Sequence, residues 1–559
     1  MRTNIFVFKI VVMKDRKNSI VMQASILAVA SIISRIIGLL YRSPLNSIIG
    51  NLGMGYYQQA YTYYTIVLLI SSYSIPAAVS KVISQRLAVG EYKNAHRIFK
   101  SALLYVLVIG FVGSAVLYCG AGWFVNDASA IPVMKIFAPT ILVYGILGVF
   151  RGYFQAHNSM VQTSVSQILE QIANAVISIA AAYVMIRYAI NIKNENSQHM
   201  QAIWGAMGSA IGTGAGVLVG LICILIMYNK SKAGIKQKIA QDTTKTLLGY
   251  KFILKLIIFT VTPFVLSTAI YNLSSTVNTK LYTDWYANYK GIHIDKVTEI
   301  WGLFSGQALT ITNIPIAFSS AMATAMLPSV STLIAAQKIK EAKDKIGVSV
   351  KTTMLISIPC AVGLFVLAEP IINLLFSNTR ADLKTAGGFL MALSLSTVFY
   401  ALSTLNSSIL QGIGKVNTPI VNAAIALLVQ TITAIVLLRI TNLGVYSIAV
   451  ATTLYSGLMC FLNQYSVKKA IAYRQEYRKS FFIPILASVI MGGVIKLVYE
   501  GMYLCVESMK IAVILAIMLG IVLYLFLLIL FQCFTKQEIE NFPGGKKIIK
   551  KLSKIRLMK

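Results

Sequence analysis

The chain has 559 residues, 57% of them hydrophobic and only 12% charged, with 50 Lys+Arg against 18 Asp+Glu for a net charge of +32. A soluble domain carries roughly twice that share of charge, and a mean hydropathy of +0.72 is too high for a core with a solvated surface. A soluble enzyme, a nucleic-acid-binding domain and a secreted disulfide scaffold are excluded, and an all-α integral membrane protein of many spans remains.

The first segment, 1–19, is basic, with an apolar patch of only about eight residues and no small-residue cleavage site, so it does not read as a signal peptide. A start at Met13 or Met22 is an equally open reading. Apolar runs then predict about fourteen membrane helices. They lie near 20–45, 57–85, 99–122, 131–155, 160–187, 202–228, 251–282, 300–334, 346–372, 385–411, 417–438, 444–467, 481–502 and 510–533. Span 1 contains Ser34-Arg35-Ile36-Ile37-Gly38-Leu39-Leu40-Tyr41-Arg42. An arginine in hydrocarbon costs roughly 2.5–3.5 kcal/mol on insertion scales and so faces a partner or a wet cavity. Arg35 and Arg42 are two helical turns apart and project from one face, with no acidic neighbour nearby in the sequence. Two unpaired guanidinium groups suit a diphosphate, which each grips through paired donors. Snorkelling to the interface is the competing reading, stronger for Arg42.

Span 2 opens on the Tyr-rich run Tyr56–Tyr64, expected as an interfacial aromatic belt or as the wall of a sugar-facing vestibule. Arg151 lies where the end of span 4 (131–155) overlaps a cytoplasmic segment, 151–158. Span 5 carries Glu170, a coupling or protonation site or a carboxyl that ties helices together. Span 7 offers Asn278 and Lys280, and span 8 offers Gln307 and Asn313, groups that a second half would present across a cavity. Lys280 is a candidate phosphate contact. Glu369 closes span 9, and Lys81 and Lys496 lie at or near span ends. No HExxH motif, Walker A motif or paired carboxylates occur. The six scattered cysteines and four histidines suggest neither a disulfide framework nor a metal site.

With both termini in the cytoplasm, 36 of the 50 Lys and Arg fall in inner segments, as the positive-inside rule requires. The expected organisation is a cytoplasmic segment 1–19, helices 1–6 over 20–228, a basic cytoplasmic linker 229–250, helices 7–12 over 251–467, helices 13–14 over 468–533 and a basic tail 534–559. The halves look duplicated. Pro76-Ala77-Ala78-Val79-Ser80-Lys81 is matched by Pro328-Ser329-Val330-Ser331-Thr332-Leu333, and Phe154-Gln155-Ala156-His157-Asn158 by Leu410-Gln411-Gly412-Ile413-Gly414. Gln155 and Gln411 therefore mark equivalent positions in parallel repeats of six spans, which put a substrate site at their interface and expose it alternately by rocking.

Ser34-Arg35-Ile36-Ile37-Gly38 with Tyr41-Arg42, Ile75-Pro76, Phe150-Arg151-Gly152-Tyr153-Phe154-Gln155-Ala156, Gln167 with Glu170-Gln171, Leu327-Pro328-Ser329 and Leu410-Gln411-Gly412 together resemble the MurJ-type lipid II flippases. The likeness is stronger to the branch with the YtgP and stage V sporulation protein B group, within the multidrug/oligosaccharidyl-lipid/polysaccharide (MOP) exporter superfamily, and runs over about residues 20–533. The resemblance implies two six-helix lobes around a cationic cavity, with helices 13 and 14 forming a groove for a polyprenyl tail. The implied activity is transfer of a lipid-linked peptidoglycan precursor from the inner to the outer leaflet, driven by membrane potential or by a Na+ or H+ gradient, with no other cofactor. Arg35 and Arg42 fall in the family's span-1 arginine region, spaced seven apart where some members have six. Gln307 stands where some members carry arginine, and span 7 offers Asn278 and no aspartate, which weakens the expectation of sodium coupling.

The expected function is therefore a cell-membrane flippase for an undecaprenyl-diphosphate-linked saccharide, lipid II foremost, with membrane lipids as its surroundings and no nucleic acid partner. Another lipid-linked polysaccharide repeat unit is an alternative cargo. A multidrug cation antiporter of the same superfamily would need acidic groups in the cavity, and a membrane-embedded glycosyltransferase or acyltransferase would need intramembrane Asp, Glu or His.

Overall fold

The computed structural model describes residues 20–73, 75–125, 127–157, 159–191, 193, 197–244, 246–376 and 380–534. The segment 1–19 and nearly all of the tail 534–559 lie outside the described residues. Those described form helices and turns and no strand. Ten of the helices are long and apolar enough to cross a membrane. In the last helix Ile511, Ile514, Met518, Leu519, Val522, Leu525 and Phe526 all face outward, a surface tolerated only in hydrocarbon. The chain is a multi-pass membrane protein.

The first half comprises α1 (Ile20–Leu40), α2 (Arg42–Leu68), α3 (Ile75–Ala88), α4 (Tyr92–Cys119), α5 (Ile131–Ala156), α6 (Met160–Asn191) and α7 (Gln198–Ala240). Helical bonds from the Tyr41 N–H to the Ile37 carbonyl (3.2 Å) and from the Leu45 N–H to the Tyr41 carbonyl (3.1 Å) carry the first rod past Tyr41. It ends at Gly50, whose φ of 71° and ψ of 176° glycine adopts without a Cβ penalty. The second rod follows at once, so the loop expected between spans 1 and 2 is corrected to a single-glycine turn. A five-residue π-helical stretch, Leu69–Tyr73, precedes α3, which restarts beside Pro76, where the missing N–H costs nothing.

Two further expectations change. Arg151, expected at the start of the cytoplasmic segment 151–158, is buried inside α5, and the turn begins at His157. The basic linker expected over 229–250 is helical as far as Ala240, because Lys230–Ile239 contains good helix formers and only Gly234 as a weak point.

The second half comprises α8 (Tyr250–Thr283), α9 (Ile294–Trp301), α10 (Leu309–Ala335), α11 (Ile339–Val366), α12 (Arg380–Gly412), α13 (Asn417–Ile440) and α14 (Val445–Ile471). A π-helical turn, Gly302–Ala308, joins α9 to α10. The last pair, α15 (Ile483–Val506) and α16 (Met509–Leu530), packs on α11 through Met491, Val513 and Tyr524 against Leu355 and Val362. Tyr524 also donates to the Leu355 carbonyl at 3.0 Å. The repeated glutamines each lie in the last turn of a helix, α5 or α12, and both turns close with the same long bond. The Ser159 N–H bonds the Phe154 carbonyl (3.1 Å), and the Lys415 N–H bonds the Leu410 carbonyl (2.9 Å).

Helices α6 and α7 meet along Gly208, Gly212, Gly216 and Gly220, a row repeating every fourth residue. A Cβ at Gly208 would fall 2.5 Å from the Ala182 Cα, and one at Gly216 would fall 2.8 Å from the Glu170 carbonyl oxygen. In lipid, where burial between helices gains little, such small residues let backbones approach and disperse into contact. This row fixes the rotation of α6, and with it the direction of Glu170 and Gln171. Gly212 sits directly on the Ser178 backbone, so Gly212→Leu is expected to destabilise by roughly 1–3 kcal/mol through overpacking. A lowered unfolding temperature of the purified protein checks this, and wild-type stability would contradict the close approach.

Candidate functional site

A cavity of about 720 Å³ opens between the halves, walled by α1, α2, α5, α6, α7, α8 and α10. At about 30 Å³ per water this is room for roughly two dozen waters, enough for a hydrated headgroup. Helix α1 sits between α6 of the first half and α10 of the second, which puts its polar face on the cavity. Arg35, Arg42 and Ser34 line the space with Asn313 of α10, Asn272 of α8, and Gln167, Glu170 and Gln171 of α6.

The charges are arranged unequally. Arg151 donates from Nη2 to the Glu170 carboxylate at 2.7 Å and from Nε to Ser166 Oγ at 2.9 Å. Both members of this ion pair are buried, at 7% and 8% exposure. Among the described residues, Glu170 is the one acidic group on the cavity wall, and Arg151 already neutralises it. Arg42 donates to Thr310 Oγ1 at 2.5 Å, across the interface between the halves. Arg35 is exposed to the cavity and makes no hydrogen bond or ion pair with another described residue. The local excess of positive charge therefore belongs to α1, in a low-dielectric surrounding where a doubly charged anion is attracted more strongly than in bulk water.

The Tyr-rich run is mostly buried in α2, and the aromatic-belt expectation is corrected. Tyr57 and Tyr64 pack on Phe137, with ring centroids 5.4 and 4.8 Å away. Tyr57, Tyr61 and Tyr64 line the cavity, and the Tyr57 hydroxyl is 3.0 Å from Thr213 Oγ1. The other expected site residues divide. Arg35, Arg42, Glu170 and Asn313 come together on the cavity wall. Lys280 is exposed outside the cavity. Asn278 is buried in the second half, donating to Thr452 at 3.1 Å and accepting from Gln430 at 2.6 Å. Gln307 is fully buried in the π-helical turn, where it donates to Asn51 Oδ1 at 2.8 Å. Gln155 and Gln411 sit at helix ends, and Glu369 lies in the short helix Ala368–Leu375, all away from the cavity lining. Arg151 escaped sequence reading because it adjoined a turn. The signal for it was the carboxylate of Glu170 inside span 5, which calls for a cation on a neighbouring helix.

Beyond Arg42 the halves are fastened together. Tyr56 donates to Asp295 at 2.8 Å, Gln59 to Thr298 at 2.9 Å, and Thr298 to Asp127 at 2.8 Å. Asn51 bridges the Gln307 amide and Asp382, the latter at 3.2 Å. Gly55 and Gly302 allow α2 and the α9–α10 joint to touch backbone to backbone. These contacts tie α2 and the turn before α5 to α9 and its π-helical joint.

Removing the carboxylate of Glu170 would strand a buried guanidinium, a change worth roughly 3–5 kcal/mol. Glu170→Ala is therefore expected to lower the unfolding temperature sharply, and the paired change Arg151→Met with Glu170→Leu is expected to recover most of the loss. If Glu170→Ala is as stable as wild type, the pair does not hold α5 to α6.

A sequence model of the family described as lipid II flippase MurJ matches residues 93–526. The Bacillus subtilis lipid II flippase MurJ is 24% identical over 488 residues, covering 85% of this chain and 87% of that protein. Stage V sporulation protein B of the same organism is 21% identical over 525 residues, covering 93% and 96%. Among solved structures, a lipid II flippase MurJ in an inward closed conformation aligns with a TM-score of 0.63 and 18% identity, covering 90% of this chain and 98% of that one. A MOP superfamily transporter from Pyrococcus furiosus aligns with a TM-score of 0.59 and 15% identity, covering 82% and 99%. The fold is that of the MOP transporters, and with most of its length matched by the family model this chain belongs to the lipid II flippase MurJ family.

Proposed function

We propose that the chain carries an undecaprenyl-diphosphate-linked saccharide, lipid II foremost, from the inner to the outer leaflet by alternating access. The observation that carries this reading is the free guanidinium of Arg35 in a cavity whose one carboxylate is already paired. A flip needs no bond made or broken. It needs a wet cationic cleft for diphosphate and sugar, and a lipid-facing opening for the tail. Arg35 receives the diphosphate, Arg42 exchanges its Thr310 contact for a second phosphate oxygen, and Asn313, Gln167 and Gln171 meet sugar or peptide groups. A cavity with this charge disfavours the cationic substrates of a multidrug antiporter, since like charges repel in it.

In this reading the basic ends face the cytoplasm, both termini lie there, and the basic segments draw the anionic headgroup to the mouth. The units 20–228 and 251–467 rock about the cavity, and 468–533 guides the tail. The polar clamp at Tyr56, Gln59, Asp127, Asp295 and Thr298 is then the outer gate. An inside-negative potential favours outward movement of an anion by about 2.3 kcal/mol per charge per 100 mV, and a Na+ or H+ gradient is the other available drive.

The test is a leaflet-accessibility assay in proteoliposomes holding a defined undecaprenyl-diphosphate saccharide. Arg35→Gln is expected to cut translocation at least tenfold while folding and unfolding temperature stay unchanged. Wild-type flipping by that variant would sink the proposal, and chemical conversion of the lipid would assign an enzyme instead. The gate has its own test, in a cysteine-free background carrying Thr65→Cys on the cavity wall. Gly302→Val is expected to speed labelling of that cysteine by a reagent added at the outer face, and unchanged labelling would remove the clamp from the gate.

A further inference from the structure

A second cleft, of about 220 Å³, lies at the basic end of the first half, between the start of α4, the end of α5 and the basic extension of α7. Its chemistry comes from Tyr92, His96, Tyr153, His157 and Lys238. The helix α7 has 43 residues and is about 65 Å long, roughly twice the hydrocarbon thickness. The Lys238 turn therefore stands at headgroup level or beyond. Among the described residues, no carboxylate lines the cleft. Asp242 and Glu91, next to it in the chain, are occupied: Asp242 accepts from the Lys93 N–H at 2.6 Å, and Glu91 accepts from Asn94 at 2.8 Å and Arg86 at 3.5 Å.

The cleft groups themselves are under-used. Lys238 Nζ lies 6.0 Å from the Tyr92 ring and enters no ion pair among the described residues. His96 Nδ1 is buried without a hydrogen-bond partner. His157 Nδ1 is 2.9 Å from the Tyr153 carbonyl. A carbonyl oxygen only accepts, so Nδ1 carries the proton and the neutral ring has a bare Nε2. Burial, with a further contribution from Lys238, holds the His157 imidazole below its ordinary value. An unpaired cation beside two imidazoles with uncommitted nitrogens, and two phenols, is an anion receptor whose donors increase when the anion enters. The volume equals roughly seven waters, enough for a phosphate with a glycerol-sized substituent and too small for a saccharide headgroup.

We propose that this cleft is a separate binding site for a phosphate ester, with Lys238 supplying the charge and His96 and His157 closing on the oxygens. The site is independent of the Arg35 cavity and of the cargo assigned to it. A membrane phospholipid headgroup and a soluble phosphate compound share the chemistry it recognises.

The chain has four histidines. Two, His96 and His157, line this cleft. The other two, His199 and His293, lie by Asp295 at the clamped end and serve as internal controls. The full chain in phosphate-free maltoside micelles, selectively 13C-labelled at histidine, is titrated with inorganic phosphate and separately with phosphatidylglycerol. The expected result is movement of the His96 and His157 signals and a rise in their apparent pKa, with the other two signals fixed. Movement by phosphate alone assigns a soluble ligand, and movement by the lipid alone assigns a headgroup; either supports the site. Lys238→Gln is expected to weaken binding roughly tenfold, the loss of one charge-assisted contact, and Lys238→Arg to retain it. Arg35→Gln should leave the response unchanged. The proposal is overturned if neither cleft signal moves, if all four move alike, if Lys238→Gln binds as wild type, or if Arg35→Gln abolishes the response.

Discussion

The structure turns on an imbalance of buried charge. Among the described residues, Arg35, Arg42 and Arg151 lie on or beside the cavity wall, and one carboxylate, that of Glu170, is there to meet them. Arg151 takes Glu170 from within the helix packing, Arg42 leans on a hydroxyl of the opposite half, and Arg35 is left facing the cavity. A guanidinium cannot shed its charge to lower this cost, so the cavity must stay hydrated or be filled by an anion. The requirement for an open, wet interior follows from that electrostatic fact rather than from any property of the helices as rods.

Two kinds of helix contact support the arrangement. Within the first half, the glycine row of α7 brings it against α6 at backbone distance. This contact is rigid because at Gly208 and Gly212 the nearest atoms are backbone atoms and the small Ser178 side chain, while at Gly216 and Gly220 they include the Asn174 and Glu170 side chains. Between the halves the contacts are different. At the clamped end they consist of hydrogen bonds among Tyr56, Gln59, Asp127, Asp295 and Thr298, with glycines allowing close approach. Hydrogen bonds of this type contribute modestly when water can replace them. The joints between halves are therefore separable in a way that the α6–α7 seam is not, in keeping with the alternating access proposed above.

The C-terminal pair α15 and α16 stands apart from this mechanism, resting on α11 through an apolar seam and presenting a broad apolar surface outward. The far end of the first half holds the second anion-receptive cleft, built by the same means as the cavity: cationic and neutral nitrogen groups whose neighbouring carboxylates are already taken. Spending carboxylates on local structure leaves positive groups free, and a chain with so few acids does this twice.

The all-helical membrane class, approximate span positions and the family resemblance were legible from residue order alone. Apolar run length and the cost of charge in hydrocarbon act locally along the chain, as does the turn chemistry that ends α5 and α12 in the same way. What the sequence could not decide was pairing between distant segments. Nothing local distinguishes Arg35, left free, from Arg151, locked to a carboxylate on the next helix. Nothing local says that Gln307 turns to Asn51, that Asn278 turns to Gln430 and Thr452, or that Lys280 points away from the cavity. The tyrosines of α2 read as an interfacial belt until packing put Phe137 against them. Those outcomes depend on helix rotation, which is set by long-range contacts such as the Gly208–Gly220 row, and rotation decides which side of each helix meets water, lipid or protein.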